Sequence, residues 1–124
     1  MATLLLVDDD RAILHILYDL LSEAYECHTA DRAEQALEYL EVETYDVVIT
    51  DISMPGLSGV EILRRVKERM PATPVIIISG MVRGMKHDLI AAGAFAFLSK
   101  PFQLEEIEDA VVRAIASRGQ LVVE

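Results

Sequence analysis

The chain has 124 residues, enough for one domain and not two. Hydrophobic residues make up 52% of it, which is ample for a packed core and excludes intrinsic disorder. Eleven basic residues against 21 acidic ones give a formal charge of −10, the wrong sign for a free-standing nucleic-acid binder. The basic cluster Arg64, Arg65, Lys67 and Arg69 is therefore read as one charged helix face of a soluble protein. Cys27, the single cysteine, has no internal disulfide partner and fits a reducing compartment. No apolar run approaches the ~20 residues that a membrane span requires. The N-terminus also lacks the order of a signal peptide, so the expectation is a small, acidic, cytoplasmic domain.

Along the chain, Thr3–Val7 predicts a first strand, and the next segment a helix with Ile13, Leu17, Leu20 and Ala24 on one face, widened by Leu14, Ile16 and Leu21. Glu26–Ala30 is a weaker, more polar strand and belongs at a sheet edge. Asp31 with Glu34 three residues on is a capping signature for a second helix, whose apolar side is Ala33, Ala36, Leu37 and Leu40. Asp46–Thr50 follows as a strand. Ser58 with Glu61 repeats the signature before a third helix bearing Ile62, Leu63, Val66 and Met70, which Pro71 and Pro74 end. Pro74–Ser79 and Ala94–Leu98 are strands. Gly80, Gly84 and Gly93 lie around a weak fourth helix, expected as a short one near Met85–Ala92 after a mobile loop. A fifth helix follows Pro101, with Leu104, Ile107, Val111 and Ala114 at helical spacing and Gly119 as its stop. Residues 1–119 form the expected domain, and 120–124 a tail or the start of a linker. Repeated strand–helix alternation, with nearly continuous apolar runs in several strands, predicts an α/β fold: an open, doubly wound parallel sheet with helices on both faces.

In such sheets ligands bind beyond the carboxyl ends of the strands. Asp8, Asp9 and Asp10 follow the first strand, Asp51 the third, Ser79 ends the fourth, and Lys100 follows the fifth. Crowded carboxylates repel unless a cation neutralises them, and a hard, oxygen-preferring ion such as Mg²⁺ suits them. A carboxylate can attack phosphorus to give an acyl phosphate, and phosphoryl transfer needs positioning and charge neutralisation above all. Taken singly, each residue has a bland account: Asp10 as a helix N-cap, Ser79 and Asp51 as turn formers, Lys100 as a surface charge. Their joint occurrence at strand ends does not. His15, His28 and His87 share no metal-ligand spacing with each other or with Cys27, which is expected to be a small buried hydrophobe.

At these residues the chain resembles the receiver domain of two-component response regulators. LLLVDDD (Leu4–Asp10), VVITDISMPGLSG (Val47–Gly59), VIIISG (Val75–Gly80) and GAFAFLSKPF (Gly93–Phe102) carry the resemblance, which extends from Thr3 to about Arg118. It implies a flavodoxin-like, three-layer fold with strand order 2-1-3-4-5. It implies Asp51 as the residue phosphorylated by a histidine kinase or small phosphodonor. Asp8, Asp9, Asp51 and the backbone carbonyl of Ser53 would hold Mg²⁺. Ser79 would be the switch hydroxyl, Lys100 the phosphoryl-pairing lysine with Pro101 beside it, and Phe97 the aromatic switch. Phe97 lacks the hydroxyl of the tyrosine often found there, and Gly80 stands where a small alanine is common. Ser53 and Met81 occupy positions that tune the phosphoryl lifetime in this family.

The implied function is a phosphoacceptor switch and not a conventional enzyme. Its output surface would be the face made by the fourth helix, fifth strand and fifth helix. Met81, Val82 and Met85 near that face are either an adaptable apolar contact or core packing. A sensor histidine kinase or phosphotransfer protein is the expected donor, with an unidentified output domain or downstream protein and no direct contact with nucleic acid or membrane. Phosphorylation would at most enhance homodimerisation. A haloacid-dehalogenase-type phosphatase is the main alternative, but Ala12 stands where that family expects Thr or Val and Asp51 would have no role. A pseudo-receiver that is never phosphorylated is the second.

Overall fold

The computed structural model describes residues 1–54, 59–80 and 85–123, with the side chains of 85, 86 and 119–123 outside the description. Ten elements alternate: β1 Thr3–Val7, α1 Arg11–Leu21, β2 Glu26–Ala30, α2 Ala33–Val42, β3 Val47–Asp51, α3 Gly59–Arg69, β4 Val75–Ser79, α4 Met85–Ala91, β5 Ala96–Ser99 and α5 Leu104–Val123. The five strands are all parallel and run in the order β2-β1-β3-β4-β5. The polar strand β2 is at an edge, as its composition predicts.

Strand side chains alternate between two cores. Leu5, Val7, Val48, Val75 and Ile77 face α2, α3 and Leu89 of α4. Leu4, Leu6, Val47, Ile49, Ile76 and Ile78 face α1 and α5. The central strands β3 and β4 are buried along their whole lengths, which is why their apolar runs are unbroken. Three layers result, with the sheet in the middle.

Several expectations shift. Strand β3 begins and ends one residue later than the apolar run, β4 starts after Pro74, and β5 starts at Ala96. Asp31 does not cap α2. Its two carboxylate oxygens are taken by Arg11 (2.9 Å) and Arg32 (3.3 Å), Arg32 holds the cap position without a side-chain hydrogen bond, and the Asp31 N–H donates to Gln35 Oε1 at 3.2 Å. The Ser58 cap lies outside the described residues, as do Gly84, Met81 and Val82 and the Met85 side chain. On α1, Leu14, Leu17 and Leu21 are buried, but Ile16 is exposed and Ala24 is exposed beyond the helix end. Leu104 is likewise exposed in the first turn of α5, while Ile107, Val111 and Ala114 are fully buried. Gly119 does not end α5, which continues to Val123. One glycine costs a helix only ~1 kcal/mol, less than a run of good neighbours returns.

Cys27 is half-buried, and burial pushes its thiol up to about 11, so it acts as a small packing group. His15 pairs with Asp19 on exposed α1, and His28 joins Tyr45 Oη (2.9 Å) to Glu26 (3.2 Å). Among the described residues, neither histidine belongs to a group of three possible metal ligands.

The turn after α4 requires a glycine. Gly93 has φ +111°, and a Cβ there would meet Lys67 Cδ at 2.9 Å. Gly93→Ala is expected to lower stability by about 1–3 kcal/mol in urea unfolding followed by circular dichroism.

Candidate functional site

Parallel strands bring their carboxyl ends to one rim, and the residues just past those ends share a crevice. Asp8 leaves β1 fully buried, with its N–H donating to the Ala30 carbonyl at 3.2 Å and its Oδ1 accepting from the Asp10 N–H at 2.9 Å. Asp51 ends β3 nearly buried, and its Oδ1 accepts from the Ser53 N–H at 3.1 Å. Lys100 follows β5. Its own N–H donates to the Ser79 carbonyl at 2.8 Å, which anchors it to β4. From there its ammonium reaches Asp51 Oδ2 at 3.2 Å and Asp8 Oδ2 at 3.0 Å. The Lys100–Pro101 peptide bond is cis.

Asp9 is exposed, but one oxygen from each of Asp8, Asp9 and Asp51 lies within 4.8 Å of the others. Asp10 stands apart from this group and caps α1, accepting from the Ala12 and Ile13 N–H groups. Ser79 is buried at the end of β4. Phe97 is half-buried and packs against the core that contains Leu89. A Cβ at Gly80 would meet Lys100 at 3.9 Å, an ordinary contact, so the alanine common at this position fits the space.

Burial raises the Asp8 carboxyl above the usual aspartate range, and the Asp51 charge adds to the rise. The Asp10 amide and Lys100 oppose this without cancelling it. Burial by itself would lower the Lys100 ammonium, but contact with Asp8 and the charges of both carboxylates outweigh it and hold the group above the ordinary lysine value. Asp8 Oδ2 is wholly buried and, despite the ion pair, has no directed hydrogen bond. An oxygen in that condition, beside two further carboxylates, fits a hard divalent cation.

Two contributors lie within the stretch Val47–Gly59 without an assigned role there. The Thr50 hydroxyl donates to the Asp51 carbonyl at 3.0 Å. Gly59, at the start of α3, presses so close that a Cβ would lie 2.2 Å from that same carbonyl oxygen. The glycine is visible in the sequence, but the approach of α3 to Asp51 is a tertiary fact.

The profile of the response regulator receiver domain matches residues 4–112. The chain belongs to this family. A curated relative, the DNA-binding transcriptional regulator NtrC of Klebsiella pneumoniae, is 38% identical over 118 residues, which is 90% of this chain and 24% of that protein. The chain thus spans about a quarter of that relative's length. A receiver domain structure from Clostridium thermocellum is 35% identical, with a TM-score of 0.88 over 98% of this chain and 99% of that one. A CheY-like receiver structure from Methanospirillum hungatei JF-1 is 26% identical, with a TM-score of 0.91 over 97% and 98%. Residues 4–112 are a response regulator receiver domain of two-component signalling. Among the described residues no helix is long and apolar enough to cross a membrane.

Two outcomes follow from the packing and charge of the site. Gly59→Ala should displace the Asp51 backbone, seen as large amide shifts at Thr50–Ser53 together with a lower urea midpoint. Asp8, with its pKa raised on folding, favours the folded state below its unfolded value, and that contribution is lost as pH rises through the folded one. Asp8→Asn should therefore raise the urea midpoint of the ion-free protein at pH 7, and the gain should disappear near pH 3.

Proposed function

We propose that Asp51 accepts a phosphoryl group from a histidine kinase, a phosphotransfer protein or a small phosphodonor, and that the domain works as a switch rather than as a turnover enzyme. The observation that supports this best is the Asp51 carboxylate, buried at a strand end with Lys100 at 3.2 Å and the Asp8 carboxylate sharing the same ammonium. One Asp51 oxygen attacks phosphorus, the bond from phosphorus to the donor's nitrogen or oxygen breaks with its electron pair leaving on the donor, and an acyl phosphate remains. Lys100 pairs with the transferred group, a role supported by the 3.2 Å contact of its ammonium with Asp51. The Ser53 N–H fixes the orientation of the attacking carboxylate.

Asp8, Asp9, Asp51 and the Ser53 carbonyl would hold Mg²⁺. When bound, the ion offsets the charge that builds up on the phosphoryl oxygens. Burial is the main cause of the raised Asp8 pKa, and the neighbouring Asp51 charge adds to it.

The modification adds about −1.5 to −2 charge and three acceptor oxygens beside Asp51. Ser79 and Lys100, joined through the backbone at 2.8 Å, are side-chain donors at neighbouring strand ends, and both turn toward the new group. Phe97, half-buried on β5, then repacks inward by apolar contact alone and alters the α4–β5–α5 face. The domain acts in the cytoplasm on an output domain or separate partner, and residues 1–119 suffice for the switch.

Intact mass after incubation with acetyl phosphate tests the acceptor. One Mg²⁺-dependent phosphoryl adduct is expected, absent in Asp51→Asn; no adduct, with no beryllofluoride binding, would make the domain a pseudo-receiver. The relay is tested by Ser79→Ala, which should suppress phosphorylation-dependent shifts at Phe97 and along β5. Unchanged shifts would refute it. Sedimentation of the beryllofluoride-bound chain should show, if any change, a shift from monomer toward dimer.

A further inference from the structure

Among the described lysine and arginine side chains, Lys67 alone lies outside every ion pair. Each described arginine has a carboxylate partner, and Lys100 has two. In a chain where acids outnumber bases by 21 to 11, a half-buried cation without a counter-ion is unexpected. The Lys67 ammonium donates only to the Pro71 carbonyl, at 3.3 Å. Its methylenes lie over the bare Cα of Gly93, so the side chain spans from α3 to the turn after α4. Burial holds its pKa below the ordinary lysine value, as expected of an uncompensated charge.

This side chain borders a cavity of about 320 Å³ between α3 and the end of α4, lined by Val60, Leu63, Arg64, Lys67, Glu68 and Ala92. Leu63 is buried to 1% and forms part of an apolar floor with Val60 and Ala92. Arg64 is already committed to both oxygens of Glu61, at 2.9 and 3.1 Å. An apolar floor with a few charged groups around it, Arg64, Lys67 and Glu68, is a common form of small-molecule site, and the volume is at the lower end of the range for one.

We propose that this α3–α4 groove binds a small apolar monocarboxylate, with the carboxylate on Lys67 Nζ and the hydrocarbon on Val60, Leu63 and Ala92. One negative charge is specified, because Lys67 is the one cation without a carboxylate partner among the described residues and Glu68 on the rim repels a second. The site is independent of the phosphoryl chemistry at Asp51. Its occupant also braces α4. Leu89 is the one buried side chain among those described on that helix, and a ligand against Ala92 adds a second apolar attachment at its C-terminal end.

The test is an amide-shift titration of the ¹⁵N-labelled full chain with 4-phenylbutanoate and, separately, with its neutral isostere 4-phenylbutanamide. Saturable shifts are expected at Val60, Leu63, Lys67, Ala92 and Gly93. The amide should bind about tenfold more weakly, the scale of one charge-assisted hydrogen bond. Lys67→Met, which keeps the methylene stem over Gly93, should reduce carboxylate affinity to the level of the amide and leave amide affinity unchanged. Hydrogen exchange of amides 87–92 should slow when the carboxylate is bound. Absence of saturable shifts, equal affinity for the two ligands, or shifts centred on Asp8 and Asp51 would each overturn the proposal. If Lys67→Met does not fold, the comparison of the two ligands on the unaltered chain decides the question, with Lys67→Gln as the second variant.

Discussion

Lys100 joins three strands that share no sequence neighbourhood. Its backbone is tied to β4 through Ser79, and its ammonium is shared between Asp8 beyond β1 and Asp51 at the end of β3. Without it, two buried carboxylates would face each other across the crevice, and their repulsion would push a carboxyl pKa up further. The contact is incomplete all the same. Asp8 Oδ2 lacks a directed hydrogen bond, and the Asp8 pKa stays raised despite the cation beside it. A site left under-neutralised in this way is suited to accept further positive charge.

The scaffold around the crevice is unevenly built. Strands β1, β3 and β4 are almost wholly buried and pin Asp8, Asp51 and Ser79 to fixed positions. Helix α4, seven residues long, has Leu89 as its one buried anchor among the side chains described, and strand β5 beside it is only half-covered. A rigid site next to a lightly held helix is what a two-state element needs. In the proposed switch, this lightly anchored pair is the element that a phosphoryl group on Asp51 would bias.

Much of the fold was legible because its signals are local and periodic. The unbroken apolar runs of β1 and β4, the 3.6-residue spacing of α1 and α3, and the polar edge strand β2 follow from burial patterns that a linear sequence displays. The errors have equally definite causes. Asp31 satisfies the spacing of a capping box, yet Arg11, 20 residues away, takes its carboxylate. Ile16 and Leu104 have helical spacing but lie on the solvent side of their helices, because spacing defines a face without fixing how wide the buried stripe is. Gly119 has the stop residue's identity, but α5 runs through it to Val123.

The sequence by itself determined the α/β class, the edge position of β2 and the gathering of Asp8, Asp9, Asp10, Asp51, Ser79 and Lys100 at strand ends, since residues at the carboxyl ends of parallel strands must share one rim. Tertiary structure alone decided how Lys100 divides its charge between Asp8 and Asp51, how closely Gly59 approaches the Asp51 carbonyl, and that Lys67 lacks a carboxylate partner while its basic neighbours on α3 have one. Those are distances between elements, fixed by how helices settle on the sheet, and no spacing along the chain encodes them.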